Sequence, residues 1–258
     1  MPWDYVIILA ILAVIVPWRS SLRVRDLLNG PDLFSSQRIS LYLFTIVFQW
    51  MVVAVILWRC VVHHLSWATL GVALPYPLRS VAVAGCLSVV LVLNQVYAMR
   101  RIAMLPYDRR GLVPRLAEKL LPRASNEAFV GVFLVLTVAI CEEFIYRGFV
   151  ESIFASVSGS ALAGALISAA FFSSAHLYQG RRGLITTFAV ALIFSAARIS
   201  TNSLFPSIVI HFAVDLSAGL AAWKFQAFRQ NPMVLAILES PPLGVSSLPK
   251  SMDLRGVS

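Results

Sequence analysis

The chain has 258 residues, of which 59% are hydrophobic and 13% charged, with a mean hydropathy of +0.81. Soluble domains average roughly 45–50% apolar and about 25% charged residues, so this composition excludes a water-soluble globule and a disordered chain. The net charge of +9 fits the Lys and Arg excess of cytoplasmic loops. No nucleic-acid partner is expected, because the basic residues interrupt apolar runs and do not line one face.

Seven apolar segments are candidates for membrane spans, since a bilayer core of roughly 30 Å takes about 20 helical residues. The first lacks the positive n-region and the small-residue cleavage pattern of a signal peptide, so we expect it to stay as a span. The sequence thus predicts an all-α, polytopic membrane helix bundle. The segments cover residues 3–18, 39–58, 80–99, 129–141, 161–177, 183–197 and 204–223.

The stretch 60–78 decides between seven spans and eight. It is apolar but short, and it ends in Pro75 and Pro77, so it is either an interfacial or re-entrant piece or an eighth span. Residues 100–127 mix Arg with Leu, Pro and Gly, which favours an amphipathic segment on the cytoplasmic face. We expect residues 1–225 to form one transmembrane domain and residues 226–258 a largely disordered cytoplasmic tail.

The distribution of Lys and Arg predicts the orientation, because cytoplasmic loops are enriched in these residues. Seven spans with the N-terminus outside and the C-terminus in the cytoplasm fit the split. Without an organellar targeting signal, we expect the bacterial cytoplasmic membrane as the location. Residues 19–38, 100–128, 178–182 and the tail from Lys224 carry seventeen Lys and Arg residues, whereas the opposite loops carry three, Arg59, Arg79 and Arg198.

Ionisable side chains interrupt three of the predicted spans, where a charge costs several kcal/mol and indicates function. Glu143 and Arg147 are four residues apart and share one helix face, as do His211 and Asp215. Phe172 likewise precedes His176 by four residues. The full set is Glu142, Glu143 and Arg147 in the fourth span, His176 at the end of the fifth, and His211 with Asp215 in the seventh.

Some of these residues, considered one pair or one residue at a time, could have a structural role without any function in a site. Glu143 and Arg147 could form a buried ion pair that fixes helix packing, and His176 could be a buried packing residue. The convergence of three carboxylates and two histidines from three helices favours a site, because these groups activate water or bind divalent metals. The HExxH, GxSxG and paired-aspartate signatures of other proteases are missing. Cys141 is expected to be a small buried residue and not a nucleophile.

The ionisable residues also form three motifs in order along the chain. They read Glu142-Glu143-Phe-Ile-Tyr-Arg147, Phe172-Ser-Ser-Ala-His176 and His211-Phe-Ala-Val-Asp215. This pattern resembles the CPBP intramembrane proteases, also called the Abi or CAAX protease family, which include the eukaryotic Ras-converting CAAX endopeptidase. The resemblance covers residues 129–222. It implies an intramembrane endopeptidase that uses activated water to hydrolyse a peptide bond of a lipidated or membrane-associated protein.

The resemblance implies a base and a group that holds water. Glu142 would be the general base, and His176 would hold the attacking water or a metal ion. A metal site would use Glu142, His176 and His211 as ligands, with zinc as the first candidate. In the metal-free alternative, the glutamate alone activates the water.

The other motif residues would stabilise and orient the reacting groups. His211 and Asp215 would stabilise the oxyanion, while Glu143 would join the catalytic set and orient it together with Arg147. Phe172 would pack beneath the site. The family pattern also allows Asn at the Asp215 position, and Asn can donate to an oxyanion. An ionised Asp215 only accepts, so it must be protonated, bind a metal or orient His211.

Two functions of other classes would use the same residues. A non-catalytic membrane scaffold or bacteriocin-immunity-type protein would use the polar cluster for packing or for binding a partner, and it would keep its biological effect without Glu142. A small transporter or proton relay would also place carboxylates and histidines in the membrane. The sequence lacks the inverted repeat expected of such transporters.

Overall fold

Helices form every regular element in the described part of the chain. The computed structural model describes residues 1–105, 109 and 111–229, with side chains as far as residue 224. These residues contain no strand, so the predicted all-α fold is confirmed. The helices are α1 (Trp3–Asn29), α2 (Ser35–Val62), α3 (Pro77–Ala103), α4 (Leu112–Leu120), α5 (Ser125–Ser158), α6 (Ala161–Ala175), α7 (Gly180–Thr201) and α8 (Phe205–Arg229).

Six of these helices are long and apolar enough to cross a membrane, namely α1, α2, α3, α5, α7 with the turn before it, and α8. The chain is therefore an integral membrane protein. α6 is also apolar but has 15 residues, which makes it about 22 Å long and shorter than the bilayer core. Each of the seven predicted spans thus corresponds to a helix. The first four residues of the predicted tail, 226–229, belong to α8, and the rest of the tail lies outside the described residues.

The stretch that decided between seven and eight spans contains no further helix. α2 ends at Val62, α3 begins at Pro77, and residues 63–76 form turns. Leu70 of this segment is buried in the main hydrophobic core, and Gly71 O accepts the N–H of Leu204 at 2.7 Å. The segment is therefore folded against the bundle. It contains no helix that could form an eighth span.

The helices alternate in direction and give the bundle two different ends. At one end, which we call the outer end, Asp4 of α1 contacts Arg59 Nε at 2.5 Å and His63 Nε2 at 2.9 Å. Residues 63–76 also lie there. At the opposite, basic end, Ser20 Oγ of α1 donates to Ala175 O at the end of α6 (3.0 Å).

The basic end is fixed by polar contacts between helices. Arg38 of α2 pairs with Glu127 of α5 through Nε at 2.8 Å and Nη2 at 3.3 Å, and both side chains are buried. α4 lies within the predicted amphipathic segment 100–127. It is held by Lys119 Nζ, which donates to Leu28 O (3.3 Å), and by Tyr42, whose hydroxyl donates to Leu120 O.

α5 does not stop at the charges that bounded the predicted span. It continues through Glu142 and Glu143 to Ser158, and residues Phe144–Val150 form a π-helical segment in which every residue is buried. The helix can continue because its charges face the interior of the bundle, where other helices supply partners. Single π-helical turns inside α-helices are frequent at functional sites.

Two glycines allow the close approach of elements around α5. A Cβ on Gly164 of α6 would lie 2.6 Å from Glu151 O, so only glycine lets α6 pack this tightly on α5. A Cβ on Gly148 would lie 3.3 Å from Leu70 O, which brings the outer segment 63–76 against the same helix. Both contacts lie close to the polar residues Arg147 and Glu151 of α5.

Candidate active site

A buried carboxylate on α5 joins two helices. Glu143 Oε1 accepts hydrogen bonds from Arg147 Nη1 at 2.8 Å and from His211 Nδ1 at 2.9 Å. The side chains of Glu143 and Arg147 are 0% exposed and that of His211 is 6% exposed. Because buried charges must be paired, Glu143 serves as the counterion of Arg147 and is poorly suited to act as a base.

The guanidinium of Arg147 lies between two aromatic rings. Its central carbon is 4.5 Å from the ring centroid of Phe172 and 5.1 Å from that of Phe194, and Nη2 donates to Ala191 O at 3.2 Å. Cation–π contacts of this kind stabilise a desolvated cation. Phe172 therefore supports Arg147 from α6, and Phe194 and Ala191 support it from α7.

His211 of α8 has a carboxylate opposite each ring nitrogen. Nδ1 bonds Glu143, and Nε2 lies 3.4 Å from Asp215 Oδ2 on the next turn of α8. Carboxylate oxygens only accept, so this environment favours a ring that is protonated on both nitrogens. Asp215 is 41% exposed. Of the three options for Asp215, its contact with His211 supports the orienting one.

His176 lies at the end of α6 and reaches the cluster through Phe172. Its Nδ1 is 2.9 Å from Phe172 O, and the two rings are 4.8 Å apart. Because a carbonyl oxygen only accepts, we assign the proton to Nδ1, which leaves the lone pair of the neutral ring on Nε2. That nitrogen makes no hydrogen bond within the described residues and can accept one from water.

Glu142 lies beside this cluster and not inside it. Its half-buried carboxylate accepts one hydrogen bond, from Gln49 Nε2 of α2 at 3.2 Å. Within the described residues, no hydrogen bond or ion pair joins Glu142 to His176 or His211. Tyr178 lines the same cavity as Asp215.

A cavity of about 730 Å³ reaches the site from the basic end. Asp215 and Tyr178 form part of its wall, and most of the other lining side chains are apolar. The volume lies within the roughly 300–1,000 Å³ typical of sites for small organic ligands. Apolar lining residues from five helices include Leu27, Leu41, Leu116, Val135, Leu216 and Trp223.

Comparison with protein families connects this geometry to known proteins. Residues 124–217 match the family model described as type II CAAX prenyl endopeptidase Rce1-like. The matched segment, about a third of the chain, is similar to the CPBP, or CAAX protease, family. All seven motif residues fall inside the matched segment of this Rce1-like domain. Comparisons with curated proteins and with solved structures gave no match.

The residues predicted as metal ligands in the Rce1-like domain do not come together as a metal site. Within residues 1–105, 109 and 111–229, no group of three or more His, Cys, Asp or Glu side chains could hold a metal ion. His211 also has a carboxylate opposite each ring nitrogen. In this arrangement the three predicted ligands form no metal site among the described residues. Zinc stays a prediction from the resemblance alone, and no step below uses it.

The structure adds residues to the Rce1-like site that the motifs did not contain. Phe194 and Gln49 have no sequence signal, because they come from helices without a motif. Glu151 did have one, since it extends the four-residue spacing of Glu143 and Arg147. Arg198 was assigned to an outer loop, but it lies on α7 and places Nη1 3.6 Å from Glu151 Oε1.

Proposed function

We propose that this protein is an intramembrane endopeptidase of the CAAX protease type that hydrolyses a peptide bond of a lipidated or membrane-associated protein. The observation that carries the proposal is the buried Glu143–Arg147–His211 cluster, next to the half-buried Glu142, inside the Rce1-like domain. Ionisable groups at such depth are costly and mark function.

Glu142 is the proposed general base. Its carboxylate has one neutral hydrogen-bond donor, Gln49, and its half-buried position leaves it open to water. Glu143 shares one oxygen between Arg147 and His211 and is fully buried. We therefore assign the base to Glu142, with Glu143 as a positioning residue that fixes His211.

In the proposed reaction, Glu142 takes one proton from a water molecule while the water oxygen attacks the scissile carbonyl carbon. His176 Nε2 accepts a hydrogen bond from the second hydrogen and so orients the water. The carbonyl electron pair moves onto its oxygen, and His211 donates to this oxyanion through its Nε2–H, whose contact with Asp215 is the longer of the two at 3.4 Å. When the C–N bond breaks, Glu142 returns the proton to the leaving amine, so that the atoms balance.

The apolar cavity is the proposed site for a hydrocarbon group attached to the substrate. Its lining is largely aliphatic, and its wall includes Asp215 and Tyr178 of the site. A chain bound there would sit beside the reacting groups, and its burial would contribute binding energy at about 25 cal/mol per Å² of apolar surface. A prenylated C-terminal peptide is the substrate class of this kind that the Rce1-like match suggests.

The first experiment is hydrolysis of a prenylated CAAX reporter peptide by the purified protein in proteoliposomes. Glu142→Gln is expected to lower kcat by at least about a hundredfold, because general-base catalysis contributes typically 10²–10⁴. Glu118→Gln on α4 is the matched control and should retain activity. Hydrolysis by the wild type that survives in Glu142→Gln would contradict the proposed base, and its absence in the wild type would favour the scaffold alternative.

The cavity is tested with a pair of glycine variants. Gly219 lines the cavity and Gly85 of α3 does not, and a Cβ at either position would have open space. Gly219→Leu is expected to raise KM for the prenylated peptide by about tenfold or more, since it fills space that the hydrocarbon needs. Gly85→Leu should leave KM unchanged. Equal effects of the two variants would contradict the cavity assignment.

We also propose that the basic end faces the cytoplasm of a bacterium and that the N-terminus lies outside. The excess of Lys and Arg at that end supports this orientation through the positive-inside rule. Reporter fusions after residue 30 and after residue 75 should give opposite sidedness, with the first cytoplasmic. The reverse pattern would overturn the orientation.

A further inference from the structure

A line of buried polar groups leads away from the candidate site toward the outer end. Glu143, Arg147 and Glu151 follow one another at four-residue intervals on α5, and Ser195 and Arg198 approach them from α7. We call these five residues the polar ladder. None of the sequence motifs includes its outer half.

The ladder contains most of the buried polar atoms that lack a hydrogen bond in the described residues. Ser195 and Arg198 both interact with Glu151, but the ion pair of Arg198 Nη1 with Glu151 Oε1 is 3.6 Å long, and no contact of the carboxylate has the geometry of a full hydrogen bond. Buried polar groups in folded proteins are almost always satisfied by protein or by ordered water. The unsatisfied ladder atoms are Glu143 Oε2, Arg147 Nε, both carboxylate oxygens of Glu151, Ser195 Oγ and Arg198 Nε.

The ladder ends at a second cavity, of about 520 Å³, at the outer end of the bundle. Arg198 and Ser152 form part of its wall, together with Thr69 and Asn202. Arg198 Nη2 donates to Thr69 O at 2.7 Å and to Ser152 Oγ at 2.9 Å, and its side chain is 14% exposed. Arg198 therefore touches both the cavity and Glu151.

We propose that the polar ladder binds a short file of water molecules, which connects the outer cavity with Glu143 and supplies water to the candidate active site. Water is the proposed ligand because the ladder atoms without a hydrogen bond include both donors and acceptors. The glutamate oxygens need donors, whereas the Nε–H groups of the two arginines need acceptors. A metal ion would satisfy only the oxygens and an anion only the N–H groups, but water does both.

The supply role rests on the proposed peptidase function, whereas the water file itself does not. Pulsed hydroxyl-radical footprinting of the wild-type protein in proteoliposomes tests the file directly, because radicals formed from bound water oxidise adjacent side chains. Phe194 and Phe149 are matched targets, since both are at most 1% exposed. Phe194 packs on Arg147 of the ladder, and Phe149 packs on Tyr5.

We expect Phe194 to be oxidised at least about tenfold faster than Phe149, because water access controls the reaction. Equal protection of the two rings would overturn the water file. A second measurement uses Ser195→Cys in a cysteine-free background, with Ag⁺ as the thiol probe. Ser168→Cys is its control, since Ser168 is equally buried on α6 but donates to Tyr146 O at 2.7 Å. Equal rates for the two thiols would also count against the file.

The supply role has its own readout. Ser195→Val removes one polar group of the ladder and should lower kcat for the reporter peptide about tenfold while KM stays unchanged, as expected for a change that acts on the reaction and not on binding. An unchanged kcat would overturn the supply role. If the wild type does not hydrolyse the peptide, the proposed function fails, and the footprinting result still decides the water file.

Discussion

Substitution by Gln is expected to lower the stability of the protein at Glu143 and its peptidase activity at the adjacent Glu142. Glu143→Gln removes the charge that balances Arg147 and His211, although both contacts, at 2.8 Å and 2.9 Å, could in part persist. Removing one partner of a buried ion pair costs about 3–5 kcal/mol, because the other charge stays buried without compensation. For a chain of this size, that free energy lowers Tm by roughly 6–20 °C.

Glu142→Gln changes a half-buried side chain whose one hydrogen bond among the described residues comes from the amide of Gln49. An amide can replace the carboxylate in that contact, so the free energy of unfolding should change by less than about 1 kcal/mol. The reaction, in contrast, loses its proposed base. Glu142→Gln should therefore be stable and inactive, whereas Glu143→Gln should be unstable.

The assay follows thermal unfolding in detergent with a thiol-reactive dye. All variants carry Cys86→Ser, because Cys86 is exposed, so that the dye reports the exposure of Cys60 and Cys141, both buried in the folded protein. Peptide hydrolysis is measured on the same preparations well below Tm. Glu118→Gln on α4 controls for the loss of a carboxylate elsewhere. A Tm of Glu142→Gln as low as that of Glu143→Gln would refute the assignment of separate roles to the two residues.

Three further substitutions test individual contacts. Asp215→Ala should lower kcat/KM by about tenfold or more, because His211 loses the group that orients it, and Asp215→Asn should lose less in the same peptide assay. An equal loss in both variants would speak against the orienting role. Phe172→Leu removes the ring 4.5 Å from the Arg147 guanidinium and should cost about 2 kcal/mol of stability, so an unchanged Tm would contradict the contact. Glu127→Gln breaks the buried pair with Arg38 and should lower the free energy of unfolding by about 3–5 kcal/mol, while hydrolysis well below Tm stays at the wild-type rate.

The pattern of helices was predictable from the sequence because hydropathy is a local property. Each predicted span corresponds to a helix, and the motif residues Glu143 and Arg147 do share a helix face. The limits of α5 were not predictable in this way. A search for uncharged windows stops at Glu142, whereas the helix continues to Ser158 because its charges have partners on other helices.

The sequence by itself determined that this chain is a helical membrane protein, which residues carry ionisable groups inside it, and which of these share a helix face. Only the tertiary structure decided which faces meet. It brought His211 onto Glu143 across 68 residues and placed Phe194 against Arg147, and it turned Glu142 toward Gln49. The physical reason is that helical periodicity fixes directions within one helix, whereas the contacts between helices depend on close packing at sites such as Gly164.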